Sequence, residues 1–300
     1  MKTKIEKLPK STIKLTVTLE KEKVKESYEK ILTEAVKNTE IEGFRKGTAP
    51  KEMVKDKLGV SSLYGEAIND LLQTYYPQAL KENLLMPVSN PKVEIKEFDL
   101  EKDFEFSAVF AVRPEVKIKN YKKALKEYYK DKTEKNDKEK LEKLKKGEKI
   151  EESHVHMGAN EIIDILLKES DVEIADMLIE EETDRVMARL MDQLRSINLS
   201  VENYLKAQNK TAESLRKEYD EMSIKNIKAE FVLSHLIKEE KIEVTDKEID
   251  DMINAVGDKS IGESLNDPMQ KLYIKTILQK NKLINKLIEE TEGEKHHEHK

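Results

Sequence analysis

The residues best suited to a chemical task lie in one short segment, from Gly43 to Pro50, with the sequence GFRKGTAP. Its glycines permit tight turns that would present Phe44, Arg45 and Lys46 at the tip of a loop. The two cations can bind phosphate groups or acidic side chains while the aromatic ring enters an apolar cleft. This combination suits docking on a ribonucleoprotein surface.

The same segment also allows a simpler interpretation. Gly43 and Gly47 would then only shape an ordinary connection, and Phe44 would fold back into the core of the domain. The two interpretations differ in whether the aromatic side chain is exposed.

The elements before and after the loop predict an α+β arrangement. Alternating apolar residues from Ile13 to Leu19 predict a half-buried strand, and helical spacing from Glu22 to Asn38 predicts an amphipathic helix. Pro50 suits the first turn of a helix that ends near Gly59. A longer helix is expected from about Ser61 to Asn83.

Two further strands are expected after Pro87. Pro77 lies inside the longer helical pattern and predicts a kink or a break there. The clearer strand, beginning at Phe104, has apolar residues at every second position and stops before Pro114. Residues 1–113 should therefore form a small α+β domain with a helical insert between strands.

The next segment, residues 114–158, has a different composition. From Lys130 to Glu152, 17 of 23 residues are charged, with both signs interspersed. Such a sequence forms a solvated single helix or a disordered linker, because it has too few apolar residues for a core.

The remaining chain, residues 159–290, predicts an elongated all-α domain, and residues 291–300 a disordered tail. The expected helical stretches begin near Asn160 and then cover Ile174–Ile197, Thr211–Ile237, a helix opened by the capping box Thr245–Glu248, and about Pro268–Glu290.

Methionines are scattered through this helical part. They are Met177, Met187, Met191, Met222, Met252 and Met269. Methionine is flexible, so such residues suit a surface that accepts many apolar sequences, but each also suits ordinary core packing. No substrate-binding residue can be named individually.

The loop and a distant second segment together resemble one known family. The GFRKGTAP segment resembles the ribosome-docking signature of bacterial trigger factor, with the order of strands and helices found there. Residues 198–205, 209–211 and 242–249 resemble the C-terminal domain of the same family, with Asn198 and Asn209 where relatives usually have Gly. Asn also tolerates a left-handed backbone at a helix end.

The resemblance implies a fold, a function and a site. The fold would be an α+β ribosome-docking domain followed by the helical chaperone domain. The function would be ATP-independent shielding of nascent polypeptides beside the exit tunnel of the large ribosomal subunit, in contact with ribosomal protein and rRNA. The docking residues would be Gly43, Phe44, Arg45, Lys46, Gly47 and Pro50.

The middle of the chain departs from that family. Trigger factors usually carry an isomerase domain of the FK506-binding-protein type, which needs roughly 90 residues and an apolar, aromatic-lined pocket. Only about 45 largely charged residues separate Arg113 from Asn160, with Tyr121, Tyr128 and Tyr129 as their aromatics. We therefore expect no isomerase activity.

Composition narrows the remaining possibilities. The chain has no cysteine, a net charge of −6, no apolar run that could span a bilayer and no secretory signal pattern, which favours a soluble cytoplasmic protein. No nucleotide or dinucleotide motif is present. The two histidine groups, His154 with His156 and His296 with His297 and His299, lack the spacing of a closed metal site. No cofactor is expected.

Three functional hypotheses stay open on the sequence. The first is the docking chaperone, the second a ribosome-independent holdase or assembly chaperone with a vestigial loop, and the third a residual isomerase. Dimerisation away from the ribosome and client specificity are not determined by the sequence.

Overall fold

The computed structural model describes residues 1–146, 155–255 and 264–293. They divide into two compact units, Met1–Arg113 with Ala175–Glu181, and Pro114–Ile174 with Glu182–Lys300. Residues 175–181, which the sequence placed in the helical domain, thus belong to the first unit. The tail from residue 294 lies outside the described residues.

The first unit combines one sheet with three helices. In chain order its elements are β1 Lys2–Leu8, β2 Thr12–Leu19, α1 Lys21–Asn38, α2 Lys51–Leu58, α3 Val60–Glu82, β3 Lys92–Ile95 and β4 Phe104–Ala111. The strands are antiparallel in the order β1-β2-β4-β3. The two strands expected after Pro87 and the helices around the loop are confirmed.

Strand β1 was not predicted from the sequence. Its residues are mostly lysine, threonine and glutamate, so no apolar alternation marks it. It forms because β2 offers a complete edge for backbone pairing, from Lys2 opposite Thr18 to Leu8 opposite Thr12. Its polar side chains suit an edge strand.

The core of the first unit confirms the alternation in β2 and β4. Ile13, Leu15, Val17 and Leu19 are buried with the phenylalanines of β4 against Leu71 and Ala79 of α3. A kink or a break was expected at Pro77, and helix α3 continues through it without a break. The buried residues on both sides of the proline hold the helix together despite the missing backbone N–H.

Residues 175–181 join the first unit through side-chain contacts. Ala175 and Met177 form a small apolar cluster with Ala111, and the Lys92 and Glu180 side chains are 2.8 Å apart. Periodicity alone could not reveal this attachment, because it depends on residues distant in sequence.

The second unit is mainly helical. Its elements are β5 Lys117–Ile118, α4 Tyr121–Lys145, α5 Ala159–Lys168, β6 Ser170–Asp171, α6 Asp176–Ser196 from residue 182 onward, α7 Val201–Ala207, α8 Ala212–Glu239, α9 Asp246–Asn254 and α10 Pro268–Glu292. The expectation of purely helical structure needs one correction, since β5 and β6 form a two-stranded antiparallel ribbon.

Most of the charged segment is helix α4, which is attached at its start. Tyr121 and Leu125 are buried, while the side chains beyond them are mostly exposed. The Tyr121 hydroxyl donates to Glu240 at 2.9 Å, and Tyr128 donates to Glu161 at the same distance. The aromatic residues of this segment therefore pack and anchor a helix.

Glu240, only 13% exposed, joins three helices at this attachment. Its carboxylate accepts from Lys122 of α4 at 2.7 Å and from Lys286 of α10. These two hydrogen bonds, against the opposing effect of burial, lower the pKa of Glu240 to about 2. The carboxylate is therefore ionised throughout the physiological range.

Asn198 and Asn209 have the left-handed backbone predicted for them, with φ of 53° and 51°. Each follows a helix and is part of the paired backbone bonds of a Schellman motif, such as Leu199 N–H to Leu194 O at 2.9 Å. The capping box at Thr245 is also confirmed, with its side chain accepting from Glu248 N–H. Among the described residues, no helix is both long and apolar enough to span a membrane.

Candidate docking loop

Two consecutive β-turns build the loop between α1 and α2. In the first turn, Phe44 N–H donates to Ile41 O at 3.0 Å, and Gly43 occupies the third position with a φ of +86°. In the second turn, Thr48 N–H donates to Arg45 O at 3.0 Å, and Gly47 occupies the third position with a φ of +87°. A positive φ at only the third position defines a type II turn, which favours glycine there.

Both ends of the loop are fixed to the core of the first unit. Ala49 is buried in a cluster with Val54, Leu63 and residues of α1, and Ile41 packs against the same cluster. Lys51 pairs with Glu29 of α1 at 2.5 Å. The turns therefore project from a firm base.

Helix α1 is in turn held against α3. Ser27 Oγ donates to Asp70 at 2.7 Å, and Lys30 Nζ pairs with the same carboxylate at 2.6 Å. Burial alone would raise the pKa of Asp70, but these hydrogen bonds outweigh it and the pKa is lowered. The charged carboxylate thus fixes the helix that leads into the loop.

The three side chains between the glycines face solvent. Phe44 is 41% exposed and lies outside the apolar cluster beneath the loop. Arg45 and Lys46 are exposed, and neither pairs with a carboxylate in the described part of the chain. The interpretation in which Phe44 folds into the core therefore does not hold. A ribosomal role for these residues stays a prediction.

Pro50 was expected in the first turn of α2 but lies one position before the helix begins. It is the N-cap of α2, with φ of −58° and ψ of 141°, and its carbonyl accepts from Val54 N–H at 3.3 Å. The proline ring fixes the angle at which the loop enters the helix.

Exposed apolar residues occur elsewhere in both units. Leu84 and Met86, here called the apolar tip, follow α3 and are 90% and 80% exposed. In the second unit Met269, Leu272 and Tyr273 are exposed on the first turns of α10. The apolar tip was not predicted from the sequence, although Leu84 and Met86 stand between the helical pattern and Pro87.

The methionines differ in burial, and a client-binding role for the exposed ones stays a prediction. Met177 is buried, whereas Met222, Met252 and Met269 are exposed. Among the described residues no group of three possible metal ligands is found. His156 Nδ1 lies 3.3 Å from Glu292, and the other histidines of the two groups lie outside the described residues.

The sequence of the chain matches two models of one protein family. The model for bacterial trigger factor protein matches residues 1–147, and the model for its C-terminus matches residues 119–289. The chain belongs to the trigger factor family. The two matches overlap, so no segment of the chain separates them.

Individual trigger factors match a smaller part of the chain. Those of Clostridium kluyveri and Clostridium acetobutylicum are each 38% identical over 122 residues, and that of Desulforamulus reducens is 35% identical over the same length. In each case the match covers 41% of this chain and 28% of the relative. The chain thus matches less than a third of their length.

A solved trigger factor structure shares the fold. It covers 97% of this chain and 100% of its own, with a TM-score of 0.67 and 16% sequence identity. That protein is described as a chaperone with promiscuous substrate recognition in folding and assembly activities. The likeness confirms the predicted combination of an α+β part and a helical part.

Proposed function

We propose that this chain is an ATP-independent chaperone of the cytoplasm that docks at the ribosomal exit tunnel and shields nascent polypeptides. The observation that carries the proposal is the loop itself. Two type II turns hold Phe44, Arg45 and Lys46 exposed, and the two cations have no carboxylate partner among the described residues.

Each of the three side chains has a separate task in docking. Arg45 can bind a phosphate or carboxylate through two parallel hydrogen bonds, and Lys46 adds a mobile positive charge. Phe44 supplies the apolar contact, since a ring buried at the centre of an interface contributes most to affinity. The partner is the large ribosomal subunit, through protein and rRNA near the exit tunnel.

Client shielding would use apolar surface that remains exposed in each unit. The apolar tip and the start of α10 offer such surface, and methionine adapts to many sequences. The sequence has no nucleotide-binding motif, so weak and reversible contacts would control capture and release. The solved relative's promiscuous recognition supports this mode of binding.

The chain would act without prolyl isomerase activity. The two family matches overlap at residues 119–147, which include α4. The resemblance implies that relatives usually carry the isomerase domain between these two parts. The hydroxyls of Tyr121, Tyr128 and Tyr129 each donate a hydrogen bond that anchors α4. The segment has no aromatic residue besides these three tyrosines that could line a proline-binding pocket.

The docking test replaces Phe44, Arg45 and Lys46 by Ala and measures co-sedimentation with ribosomes at increasing salt. A matched control replaces Lys4, Ile5 and Lys7 by Ala, which offer two exposed lysines without ion pairs among the described residues and an apolar side chain of similar exposure, 40%. Both variants lose two positive charges and one apolar side chain.

We expect the loop variant to lose most ribosome binding and the control to retain it. Binding of the unmodified chain should weaken with salt, because phosphate contacts release counterions. Equal binding by the two variants would refute docking through the loop. If neither the unmodified chain nor the loop variant binds ribosomes but both suppress client aggregation, shielding is independent of docking, as in the holdase hypothesis.

A further inference from the structure

A broad groove of about 1470 Å³ lies in the second unit beside the start of α4 and the end of α8. The lysines that line it are Lys117, Lys119, Lys122, Lys123 and Lys238. A neighbouring hollow shares Lys122 and Lys123 and adds Lys126 and Lys130. Together these lysines form a continuous surface, here called the basic groove.

Several of these charges are available for a ligand. Lys119, Lys126 and Lys238 have no carboxylate within 4 Å in the part of the chain that the structure describes. Lys117 and Lys123 have only exposed partners, at 3.7 and 3.6 Å. Such loose surface pairs contribute little and exchange easily for another anion.

The acidic residues that line the groove are fewer than the lysines. They are Glu127, Glu239 and Glu240, against seven lysines in the two linings. Glu240 is held by Lys122 and by Lys286, which lies outside the lining. The groove therefore has an excess of positive charge.

The surrounding segment is basic in an acidic chain. Residues 115–146 contain thirteen lysines and seven acidic residues, a net charge of +6, whereas the whole chain has −6. Lys123, Lys126 and Lys130 recur at helical spacing on one face of α4, about 5 Å apart along the axis. This is a row of cations that can follow an extended polyanion.

We propose that the basic groove binds the phosphate backbone of RNA without reading its sequence. Among its lining residues Tyr121 is buried and the His235 ring is only partly exposed, so bases have little stacking surface and the contacts would be mainly electrostatic. The exposed apolar residues that an interfacial membrane helix would bury are also missing from its lining. The choice of RNA rests on the proposed function, which brings the chain to rRNA.

The test measures binding of the full chain to a fluorescent oligouridylate by anisotropy over a range of salt. The groove variant carries Lys119→Glu, Lys126→Glu and Lys238→Glu. The control carries Lys206→Glu, Lys217→Glu and Lys247→Glu, which are exposed, unpaired among the described residues and change the net charge equally. A milder variant with Gln at the three groove positions guards against misfolding, and circular dichroism checks each variant.

We expect the groove variants to bind RNA weakly and to reduce the slope of log affinity against log salt by about 2, since each single-strand phosphate contact contributes about 0.7. The control should retain most binding and most of the slope. Equal losses in the Gln groove variant and a Gln version of the control would overturn the proposal.

Two further measurements distinguish RNA binding at the groove from docking through the loop and from membrane binding. The variant with Ala at Phe44, Arg45 and Lys46 should retain oligouridylate binding, so a failure of docking through that loop leaves the groove measurement intact. Vesicles rich in phosphatidylserine should bind less tightly than RNA at equal salt. Tighter binding to vesicles, lost in the groove variant, would reassign the surface to membranes and overturn the RNA proposal.

Discussion

Gly43 and Gly65 show how one residue type has opposite effects at two positions. An added Cβ would meet nothing within 4 Å at either, but Gly43 has φ +86° whereas Gly65 lies within helix α3. Gly43→Ala should therefore cost about 1 kcal/mol through the left-handed backbone, and Gly65→Ala should stabilise by about 0.5–1 kcal/mol. Urea unfolding of both variants measures the difference. A stabilising Gly43→Ala would refute the turn geometry.

Leu84 has a backbone that its side chain does not favour. Its φ is 53° at the end of α3, where glycine is usual, and its side chain is almost fully exposed. Leu84→Gly should raise the free energy of unfolding by about 0.5–1 kcal/mol, because strain is relieved and little packing is lost. Leu84→Ala keeps the strain and should change little. Equal effects of the two substitutions would show that strain is not the cause.

At the scale of elements, the carboxylate of Glu240 fastens α4 to α8 and α10. Its folded-state pKa of about 2 lies below the ordinary value of 4.5, so its contribution is present above pH 4.5 and is lost as pH falls towards 2. The shift corresponds to at most about 3 kcal/mol. Glu240→Gln should therefore lower the free energy of unfolding by about 2 kcal/mol at pH 6.

The pH dependence distinguishes this effect from simple loss of packing. The difference between Glu240→Gln and the unmodified chain should shrink when urea unfolding is repeated at pH 4 and below. Glu239→Gln is the matched control, because Glu239 is adjacent but exposed, and it should change stability little. A difference for Glu240→Gln that is the same at both pH values would contradict the ionic origin.

At the scale of the whole molecule, we expect the chain to shield unfolded clients without catalysing prolyl isomerisation. The chain should suppress aggregation of an unfolded client equally with and without ATP, and should not accelerate a refolding step limited by proline isomerisation. A trigger factor that contains the isomerase domain is the positive control for the second assay. Acceleration by this chain would show that a catalytic pocket exists despite the composition of residues 114–158.

The sequence predicted the elements whose side chains follow a strong local pattern. Strands β2 and β4, helix α1 and the cap at Thr245 were predictable because apolar spacing and capping residues are local signals. Strand β1 was not, because its polar residues show no apolar alternation. The ribbon β5–β6 was not, since its two short strands are distant from each other in sequence. The unbroken α3 was also unpredictable, because packing on both sides of Pro77 outweighs the lost hydrogen bond.

The sequence by itself determined the docking candidates and the family resemblance. It also showed that the middle segment has too few apolar and aromatic residues for a proline-binding pocket. Glycine spacing, residue type and charge density carry this information without any fold. Only the tertiary structure decided that Phe44 is exposed, that residues 175–181 join the first unit, and that lysines of α4, α8 and the β5 strand share one groove. These facts depend on contacts between residues that are distant in sequence, and local sequence patterns do not specify such contacts.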